Sequence, residues 1–585
     1  MVTWSDRRAT IRAYVHQMPA ARHSRSRAGG LLPGLGVLRH YQREWLRPDL
    51  AAGLTVGAML VPQSMAYAEL AGLPPQLGFY AVIGALVVYA LVGTSRHLGV
   101  GPEPGTAILA AAGVSSLAAG DPARYIALMA ALALVVAGIC IAGAVARLGF
   151  LASVLSKPVL VGYITGVGLV LISSQIAAIT GISITADDFF PRIVELVREL
   201  DEVQVQTVAV GAGSLALILV LRRTAPRVPG ALVAIVAASI VVSVFALDAH
   251  GVALVGDIPS GLPELQLPDV SAGDLGRLLP VAVGIALVGY TDNVLTARSI
   301  AARHGYRIEA NQELLALGLT NLASGISQGF PISSSASRTA VPASLGSKTQ
   351  LVSVVGSASV VVTLLALGPL LAHIPRAALA AVIVSAAIAI IDVPGYRALW
   401  QVSREEAVLA VVAALAVVVF GVLAGVVVAV ALSLLAALYR VARPHDAVLG
   451  DHPGLDGWVE VDAYPAAHTE PGLLVYRFDA PLFFVNADWF RERVEQVLVD
   501  NPGPEEWVVL DFEGIGSLDA TALEALASLV DRLAELCVET VAVARANDIV
   551  LTRLRDAELL EPPGPLRSFP TINSAVRAYR GRQRG

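Results

Sequence analysis

Two short segments rich in glycine, proline and serine carry the residues best suited to binding chemistry. One covers residues 101–113 and opens with Gly101-Pro102-Glu103; the other covers 330–346 and includes Ser334-Ser335-Ala336-Ser337-Arg338. Glycine and proline interrupt regular elements, so each segment is predicted to begin a helix inside an apolar region. The first turn of a helix offers unbonded N–H groups and a partial positive charge. Two such helix starts facing one another would bind an anion.

Arg338 strengthens this interpretation, because a charged residue within a membrane is costly and is functional by default. It would add a full positive charge, and the neighbouring serine hydroxyls would add hydrogen-bond donors. The alternative for the serine run is ordinary packing of small residues between helices. The alternative for Glu103 is a helix-start carboxylate that the helix dipole stabilises.

Polar residues one helical turn apart interrupt two other apolar runs. Gln63 and Tyr67 follow Pro62, and Asp292 and Thr296 have the same spacing, so each pair shares a helix face. We include Gln63 and Tyr67 in the predicted anion site. Asp292 with Thr296 could hold Na⁺ through oxygen ligands, or Asp292 could take up a proton. Glu103 is a second proton candidate. The alternative is that Asp292 only pairs with a nearby arginine, Arg338 before Arg298.

Composition places these residues in a membrane protein. The chain has 585 residues, of which 55% are hydrophobic and 15% charged, whereas soluble domains carry about 25% charged residues. A spanning helix needs about 20 apolar residues, and about fourteen segments are predicted by this criterion together with the shorter broken runs. The predicted runs are 50–68, 77–92, 101–113, 125–146, 160–179, 208–221, 232–246, 279–295, 314–327, 330–346, 352–372, 378–391, 408–420 and 422–439.

Charge distribution predicts the orientation. Arginine and lysine concentrate in alternate loops, which places those loops and both chain ends in the cytoplasm. The loop 187–202 is acidic and amphipathic and is expected outside. Residues 1–30 are predicted to form a basic arm that keeps the N-terminus on the cytoplasmic side. The alternative is that the arm contacts anionic lipid or nucleic acid. The chain has only two cysteines, Cys140 and Cys537, so no disulfide framework or zinc site is expected.

The two broken segments also predict internal symmetry. Each is the third member of a set of about seven segments, and matched interruptions of this kind indicate an inverted repeat with the substrate site between its halves. The run containing Gln63 and the run containing Asp292 occupy equivalent places in the two halves.

The C-terminal region has a different pattern. Strands are predicted at 473–478, 507–512 and 538–544, alternating with helices at 487–499, 520–536 and 547–557, which indicates a small α/β domain. It has no Walker loop, dinucleotide fingerprint or nucleophile elbow, so no enzyme activity is expected. The predicted divisions are an N-terminal arm (1–45), a transmembrane transport domain (46–441), a linker (442–470) and the α/β domain (471–582).

Several motifs together resemble the sulfate permease family, also called SulP or solute-carrier-26, and its actinobacterial members in particular. They are the run from Asp49 to Val56, Val61-Pro62-Gln63-Ser64-Met65-Ala66-Tyr67-Ala68, Gly101-Pro102-Glu103, and Ser337-Arg338. The tail, with Leu510-Asp511-Phe512 and Leu518-Asp519-Ala520-Thr521, is similar to a STAS domain. The resemblance covers about residues 40–580.

The resemblance implies two inverted repeats of seven segments arranged as a core and a gate domain, a homodimer, and a cytoplasmic STAS domain. It places the anion site between the third and tenth segments, completed by the first and eighth. Asp292 and Thr296 match Na⁺ ligands of the bicarbonate-transporting branch, but Ser334-Ser335-Ala336 departs from that branch. Ala520 occupies the position of a phosphorylated serine in soluble STAS proteins, which leaves Thr521 as the regulatory candidate.

The function expected from these observations is secondary active uptake of a small oxyanion, sulfate before others, by alternating access with H⁺ or Na⁺ coupling. The alternatives are bicarbonate transport, anion exchange or a uniport path, and an anion-responsive membrane sensor that signals through the STAS domain. The expected location is the plasma membrane. The expected partners are the anion, the lipid bilayer and a second copy of the chain, with no nucleic acid and no cofactor other than the coupling ion.

Overall fold

The computed structural model describes residues 32–153, 156–184, 186, 188–225, 228–256, 259, 261–455, 457–500, 505–561 and 564–583. The predicted basic arm at 1–30 and Asp187 of the acidic loop lie outside these residues. Packing divides the chain into two compact units, Met1–Ser433 and Leu434–Gly585. The domain boundaries expected from sequence stay predictions.

The first unit is almost entirely helical. Its helices are α1 Pro33–Arg39, α2 Leu46–Leu70, α3 Gln76–Val92, α4 Pro104–Ala118, α5 Pro122–Val145, α6 Lys157–Ser174, α7 Ile176–Thr180, α8 Phe189–Arg198, α9 Val205–Thr224, α10 Gly230–Val244, α11 Ala272–Arg303, α12 Ala310–Ile326, α13 Ala336–Ser344, α14 Leu351–Ala366, α15 Gly368–Leu371, α16 Arg376–Ile390, α17 Val393–Val402 and α18 Arg404–Ala442, which continues into the second unit. Two short strands, β1 Val100–Gly101 and β2 Ser333–Ser334, precede α4 and α13.

Every one of the predicted apolar runs is helical or contains one of these two strand–helix breaks. The long α18 is interrupted at Gly421, whose φ of 83° is a left-handed conformation that favours glycine. The interruption gives two segments, 404–420 and 422–442. Together with α2–α6, α9–α14 and α16 they make fourteen helical segments that correspond to the predicted runs. Seven helices among the described residues are long and apolar enough to cross a membrane by length and composition.

Helix packing in the first unit follows a two-fold pattern. Helix α2 packs on α14, and its counterpart in the second half, α11, packs in the same way on α5. Helix α3 also packs on α14, and its counterpart α12 also packs on α5. Helix α6 packs on its own counterpart α16, and β1 pairs with β2. These contacts are related by exchanging segments one to five for segments eight to twelve, as expected for an inverted repeat.

These contacts define two bundles within the first unit. The core bundle consists of α2–α5 and α11–α14. The gate bundle consists of α6, α9, α10, α16 and α18, in which Gly162 and Gly166 of α6 allow close approach to residues 410–417 of α18. Large apolar side chains are exposed on the gate bundle, including Val220, Ile240 and Leu415. Such surfaces are uncommon on soluble monomers and fit contact with lipid.

The second unit contains a six-stranded sheet with helices. Its elements are β3 Asp446–Asp451, β4 Trp458–Glu460, β5 Leu473–Phe478, α19 Ala487–Asp500, β6 Trp507–Asp511, α20 Ala520–Glu535, β7 Thr540–Ala544, α21 Asp548–Asp556, β8 Leu566–Phe569 and α22 Ile572–Gln583. The strand order is β4-β3-β5-β6-β7-β8, with β5 to β8 parallel and β3 antiparallel to both neighbours.

The α/β elements predicted from sequence are all present, but the stretch expected to be a linker, 442–470, holds β3 and β4. Strand β3 has polar residues at both ends, and β4 has three residues, so neither gives a clear alternating pattern. Strand β8 and α22 were not predicted either; β8 has only four residues, and the two at its centre, Arg567 and Ser568, are polar and exposed.

Candidate functional site

The two strands place two helix starts in the middle of the first unit. Strands β1 and β2 pair antiparallel, with Val100 opposite Ser334 and Gly101 opposite Ser333. The pairing satisfies backbone groups that a non-helical break would otherwise leave unbonded in a membrane. Gly101 has a φ of 144°, and a Cβ there would meet Val82 and Leu60. Helices α4 and α13 begin immediately after the strands and are therefore half-helices.

An open cleft of about 160 Å³ lies beside both half-helices. Its core-bundle wall comes from α2, α4, β2, α11 and α13, and its gate-bundle wall comes from α6 and α16. Seven of the residues predicted for the site line this cleft: Tyr67, Glu103, Asp292, Ser334, Ser335, Ala336 and Ser337. Gln63, Gly101, Thr296 and Arg338 are not among its lining residues.

The start of α13 presents donors to the cleft. Ser335 precedes the helix and makes no side-chain hydrogen bond to its first turn, so no side chain of the N-cap occupies these N–H groups. The hydroxyls of Ser335 and Ser337 lie 3.0 Å apart, and Ala336 and Ser337 are exposed. This end of the cleft combines hydroxyl groups with the positive end of a helix dipole.

The start of α4 is built differently. Glu103 is its N-cap residue, and its Oε2 accepts a hydrogen bond from the backbone N of Thr106 at 3.0 Å. A proline, Pro104, follows at the first helical position, where its missing N–H costs nothing. The positive end of this half-helix is therefore already covered by a carboxyl group that faces the cleft.

Asp292 is the second carboxyl group in the cleft, and its protein contacts are sparse. Its Oδ2 accepts from the hydroxyl of Ser334 at 3.4 Å, a long hydrogen bond. Asp292 and Glu103 interact electrostatically with each other. Thr296 is half-buried and outside the cleft lining. Arg338, which the alternative interpretation paired with Asp292, donates its hydrogen bond to Gln63.

Two other buried carboxyl groups of the core bundle accept several hydrogen bonds each. Asp49 accepts from the backbone N of Lys348 at 2.7 Å, from the hydroxyl of Thr349 at 2.6 Å and from the hydroxyl of Tyr41 at 3.1 Å. Glu313 accepts from the hydroxyl of Tyr89 and from the backbone N of Thr94, both at 2.8 Å. A buried carboxylate supplied with several donors is a structural cap. Asp292 lacks such a set among the described residues, which singles it out.

Arg338 is buried directly behind the start of α13, with 1% of its surface exposed. Its Nη1 donates to Oε1 of Gln63 at 3.0 Å, and its Nε and Nη2 have no hydrogen-bond partner among the described residues. It interacts electrostatically with Glu103 and Tyr67, both of which line the cleft. Arg338 thus supplies positive potential to the site from behind the lining, and Gln63 holds it.

Sequence reasoning missed the gate-bundle wall. Tyr163 and Val167 of α6 and Ala386 and Ile390 of α16 line the cleft. The hydroxyl of Tyr163 is buried without a partner among the described residues, and a lone tyrosine in an apolar run was the one available signal. The apolar residues gave none, because they are indistinguishable in sequence from lipid-facing ones.

An ion pair links the two bundles at one end of the unit. Glu69, in the last turn of α2, lies 3.7 Å from the guanidinium of Arg376, the first residue of α16. Arg376 also donates its backbone N–H to the carbonyl of Ala253, in the connection between α10 and α11. The core and gate bundles are therefore fastened together at this end.

The second unit holds the regulatory candidate Thr521. It is exposed in the first turn of α20, next to Asp519, whose Oδ1 caps the helix by accepting from the backbone N of Ala522 at 2.8 Å. Nearby, Asp511 is buried and pairs with Arg545, and this hydrogen bond raises the pKa of Arg545. The Asp511–Arg545 pair joins the carboxyl ends of the neighbouring strands β6 and β7.

Comparison with known proteins defines the class of this chain. Residues 46–413 match the model of the sulfate permease family, and residues 464–575 match the STAS domain. The chain is 47% identical, over 95% of its length and 99% of the relative, to a probable sulfate transporter of Mycobacterium tuberculosis. It is 31% identical, over 92% of its length and 82% of the relative, to probable sulfate transporter 4.2 of Arabidopsis thaliana. The chain belongs to the sulfate permease family, which groups membrane transporters and not enzymes.

Solved structures share the fold. The murine Solute Carrier 26 family member A9 anion transporter, in its inward-facing state, matches with a TM-score of 0.85 and 24% identity over 98% of each chain. The transmembrane domain of a cyanobacterial bicarbonate transporter, BicA, matches with a TM-score of 0.60 over 66% of this chain and 98% of that one. The chain is thus a polytopic helical membrane protein with a C-terminal STAS domain, as predicted.

Proposed function

We propose that this protein takes up sulfate by secondary active transport, with a proton as the coupling ion. The observation that carries the proposal is the cleft itself, where the uncapped start of α13 lies beside two carboxyl groups, Glu103 and Asp292. Sulfate has only hydrogen-bond acceptors, so it fits the N–H and hydroxyl donors at Ser335 and Ser337. The relatives named as sulfate transporters support this substrate.

The two carboxyl groups explain why a cation should accompany the anion. A dianion entering a cleft with two ionised carboxylates would meet strong repulsion at low effective dielectric. Loading the carboxyl groups with a cation removes that repulsion and makes anion affinity depend on the cation. Uptake against a membrane potential of 100 mV, negative inside, costs about 4.6 kcal/mol for a dianion, from about 2.3 kcal/mol per charge. A coupled cation would therefore raise the affinity for the anion and offset the electrical cost of its uptake.

A proton is favoured over Na⁺ by the surroundings of Asp292. A hard cation takes several oxygen ligands, whereas the contact of Asp292 among the described residues is the 3.4 Å hydrogen bond from Ser334. Thr296, the expected second ligand, is outside the cleft lining. A carboxyl group without further ligands is suited to a proton relay. Glu103 interacts electrostatically with Asp292, and the two carboxyl groups would share the coupling proton.

Alternating access would move the core bundle against the gate bundle. The cleft lies between their walls, so a relative displacement would change which side of the membrane it meets. In this structure the pair Glu69–Arg376 joins the bundles at one end. Opening at that end would require this pair to separate, although only its Arg376 side chain is exposed and Glu69 is half-buried.

The remaining parts of the proposal concern placement and assembly. An even number of spanning segments puts both chain ends on one side, and the basic loops favour the cytoplasm of the plasma membrane. We propose a homodimer from the family resemblance, with the STAS domain in assembly and regulation and Thr521 as a phosphorylation candidate. A phosphate there would lie at the N-terminus of α20, where negative charge is favoured.

The test is uptake of radiolabelled sulfate into proteoliposomes that contain the purified full-length chain. We expect accumulation when an inward proton gradient is imposed and none with an equal Na⁺ gradient at constant pH. Bicarbonate, chloride and a dicarboxylate serve as competitors, and bicarbonate is the alternative substrate. Accumulation driven by Na⁺ alone would contradict proton coupling, and uptake of bicarbonate without sulfate would contradict the substrate.

A further inference from the structure

Helix α8 lies between two spanning segments and is attached to the unit by polar contacts of Arg192 and Glu195 and by packing of Phe189. It follows α7, which ends at Thr180, and precedes α9, which begins at Val205, so it lies where these segments leave the bundle at the same end. Arg192 donates from Nε to the carbonyl of Ala186 and from Nη1 to the hydroxyl of Ser173, at 3.2 Å in both cases. Glu195 accepts from the backbone N of Ala186 at 2.8 Å.

One face of α8 is apolar and exposed. Phe190, Val194 and Val197 follow a spacing of four and three residues, which places them on one face. Their exposed fractions are 52%, 48% and 62%. Leu200, in the turn after the helix, extends the exposed apolar row. A helix on a water-soluble surface places its apolar side inward. Here only part of that side does so: Phe189 packs against the core of the unit, whereas Phe190, Val194 and Val197 stay exposed.

We propose that this face of α8 is a lipid-binding surface that lies in the plane of the membrane, at the boundary between headgroups and acyl chains. An amphipathic helix of this kind buries its apolar face about 5–10 Å into that boundary. The connection supports a lipid occupant, because a ten-residue helix joining two spanning segments at one end must lie near the bilayer surface.

Neighbouring residues continue the pattern expected at a lipid boundary. Val205, which begins α9 directly after this connection, is exposed and apolar, as is Val220 further along the same helix. Asp188 and Arg198, at the two ends of α8, are exposed and charged, as suits contact with headgroups and water. A second copy of the chain or a protein partner on this face is an outcome that the test below distinguishes.

The experiment measures the environment of each face in the full-length protein reconstituted in phosphatidylcholine–phosphatidylglycerol vesicles. Single cysteines replace Phe190, Val194 or Val197 in a Cys537→Ser background, since the remaining Cys140 is buried. A nitroxide label on each is tested for collision with oxygen, which concentrates in lipid, and with a water-soluble nickel chelate. Asp188→Cys is the matched control on the same helix.

We expect the three apolar positions to collide more with oxygen than with nickel, at a depth of about 5–10 Å, and Asp188→Cys to show the reverse. Greater nickel access at all three positions would place this face in water and overturn the proposal. Low access to both reagents would place it under protein and overturn it as well. Three independent positions keep the test decisive if one variant fails to insert. The result does not depend on which anion is transported.

Discussion

The two half-helices α4 and α13 occupy equivalent places in the inverted repeat, yet they begin with different chemistry. Helix α4 begins at a carboxyl group, because Glu103 caps it through the backbone N of Thr106. Helix α13 begins with Ser335, which leaves the first turn uncapped, and Arg338 is buried behind it. Both ends line one cleft, but one presents uncapped N–H groups and hydroxyls whereas the other presents a carboxyl group.

This difference shows that the fold sets the position of the two helix starts, whereas the local residues set their charge and hydrogen-bonding groups. Two uncapped helix starts would give an anion site with no dependence on a second ion. One start is covered by Glu103, and Asp292 lies nearby on α11. Under the proposed function, anion binding would then depend on the loading of these carboxyl groups. The predictions below change one half-helix at a time.

The largest effect is expected from Arg338→Ala at the α13 end. Removing a buried, hydrogen-bonded charge from the binding machinery costs about 2–5 kcal/mol, which is enough to abolish detectable sulfate uptake. Gln63 also loses the donor that it accepts from. Sulfate binding by the purified variant is measured by calorimetry. Arg298→Ala, at an exposed arginine of α11, is the matched control and should bind normally.

An unchanged sulfate affinity in Arg338→Ala would remove this arginine from the site. Arg338→Lys sharpens the result, because it keeps the charge but loses the planar donors of the guanidinium. We expect its affinity to lie between those of the wild type and Arg338→Ala. Equal affinity for the lysine and alanine variants would show that hydrogen-bond geometry, and not charge, sets the role of this position.

A smaller effect is expected from Glu103→Gln at the α4 end. The glutamine oxygen can still accept from the backbone N of Thr106, so the helix cap is retained while the charge is lost. Sulfate binding should then weaken less steeply as pH rises, because one repulsive carboxylate no longer ionises. Calorimetry between pH 5.5 and pH 8 would check this.

Glu103→Ala separates the cap from the charge. It loses both, and loss of an N-cap costs about 0.5–2 kcal/mol of stability. A lowered melting temperature in Glu103→Ala but not in Glu103→Gln is expected. An identical pH profile for Glu103→Gln and the wild type would show that Glu103 is only a helix cap, the alternative considered from sequence.

No effect on affinity is expected from deleting residues 444–585. The residues that line the cleft all belong to the first unit, so the truncated protein should bind sulfate with an unchanged Kd while expression or transport rate falls. Binding by the detergent-purified truncation is the measurement, with the same truncation carrying Arg338→Ala as the control. Loss of binding in a well-folded truncation would show that the STAS domain contributes to the site.

The sequence predicted the half-helices well, because glycine, proline and serine at 101–106 and 330–339 indicate a break in an otherwise apolar helical run. It predicted less well which side chains face the cleft. Arg338 and Ser337 are adjacent, yet one is buried against Gln63 and the other is exposed. That outcome depends on the register set by the β1–β2 pairing, which brings together residues more than two hundred positions apart.

The gate-bundle wall was not predictable for a different reason. Ala386 and Ile390 line the cleft, but an apolar residue facing a cleft and one facing lipid have the same sequence signature. Thr296 shows the converse, since a helical spacing that fits a ligand pair does not ensure that both residues reach the site. Contacts between bundles, and not periodicity along one helix, decide these positions.

The most direct test of the account is the behaviour of Asp292→Asn in proteoliposomes. Asparagine preserves size and can still accept from the hydroxyl of Ser334, but it cannot bind a proton at neutral pH. We predict that the variant loses sulfate accumulation driven by a proton gradient and retains exchange of external for internal sulfate. Accumulation equal to that of the wild type under the same gradient would show that Asp292 does not carry the coupling ion and would contradict the account.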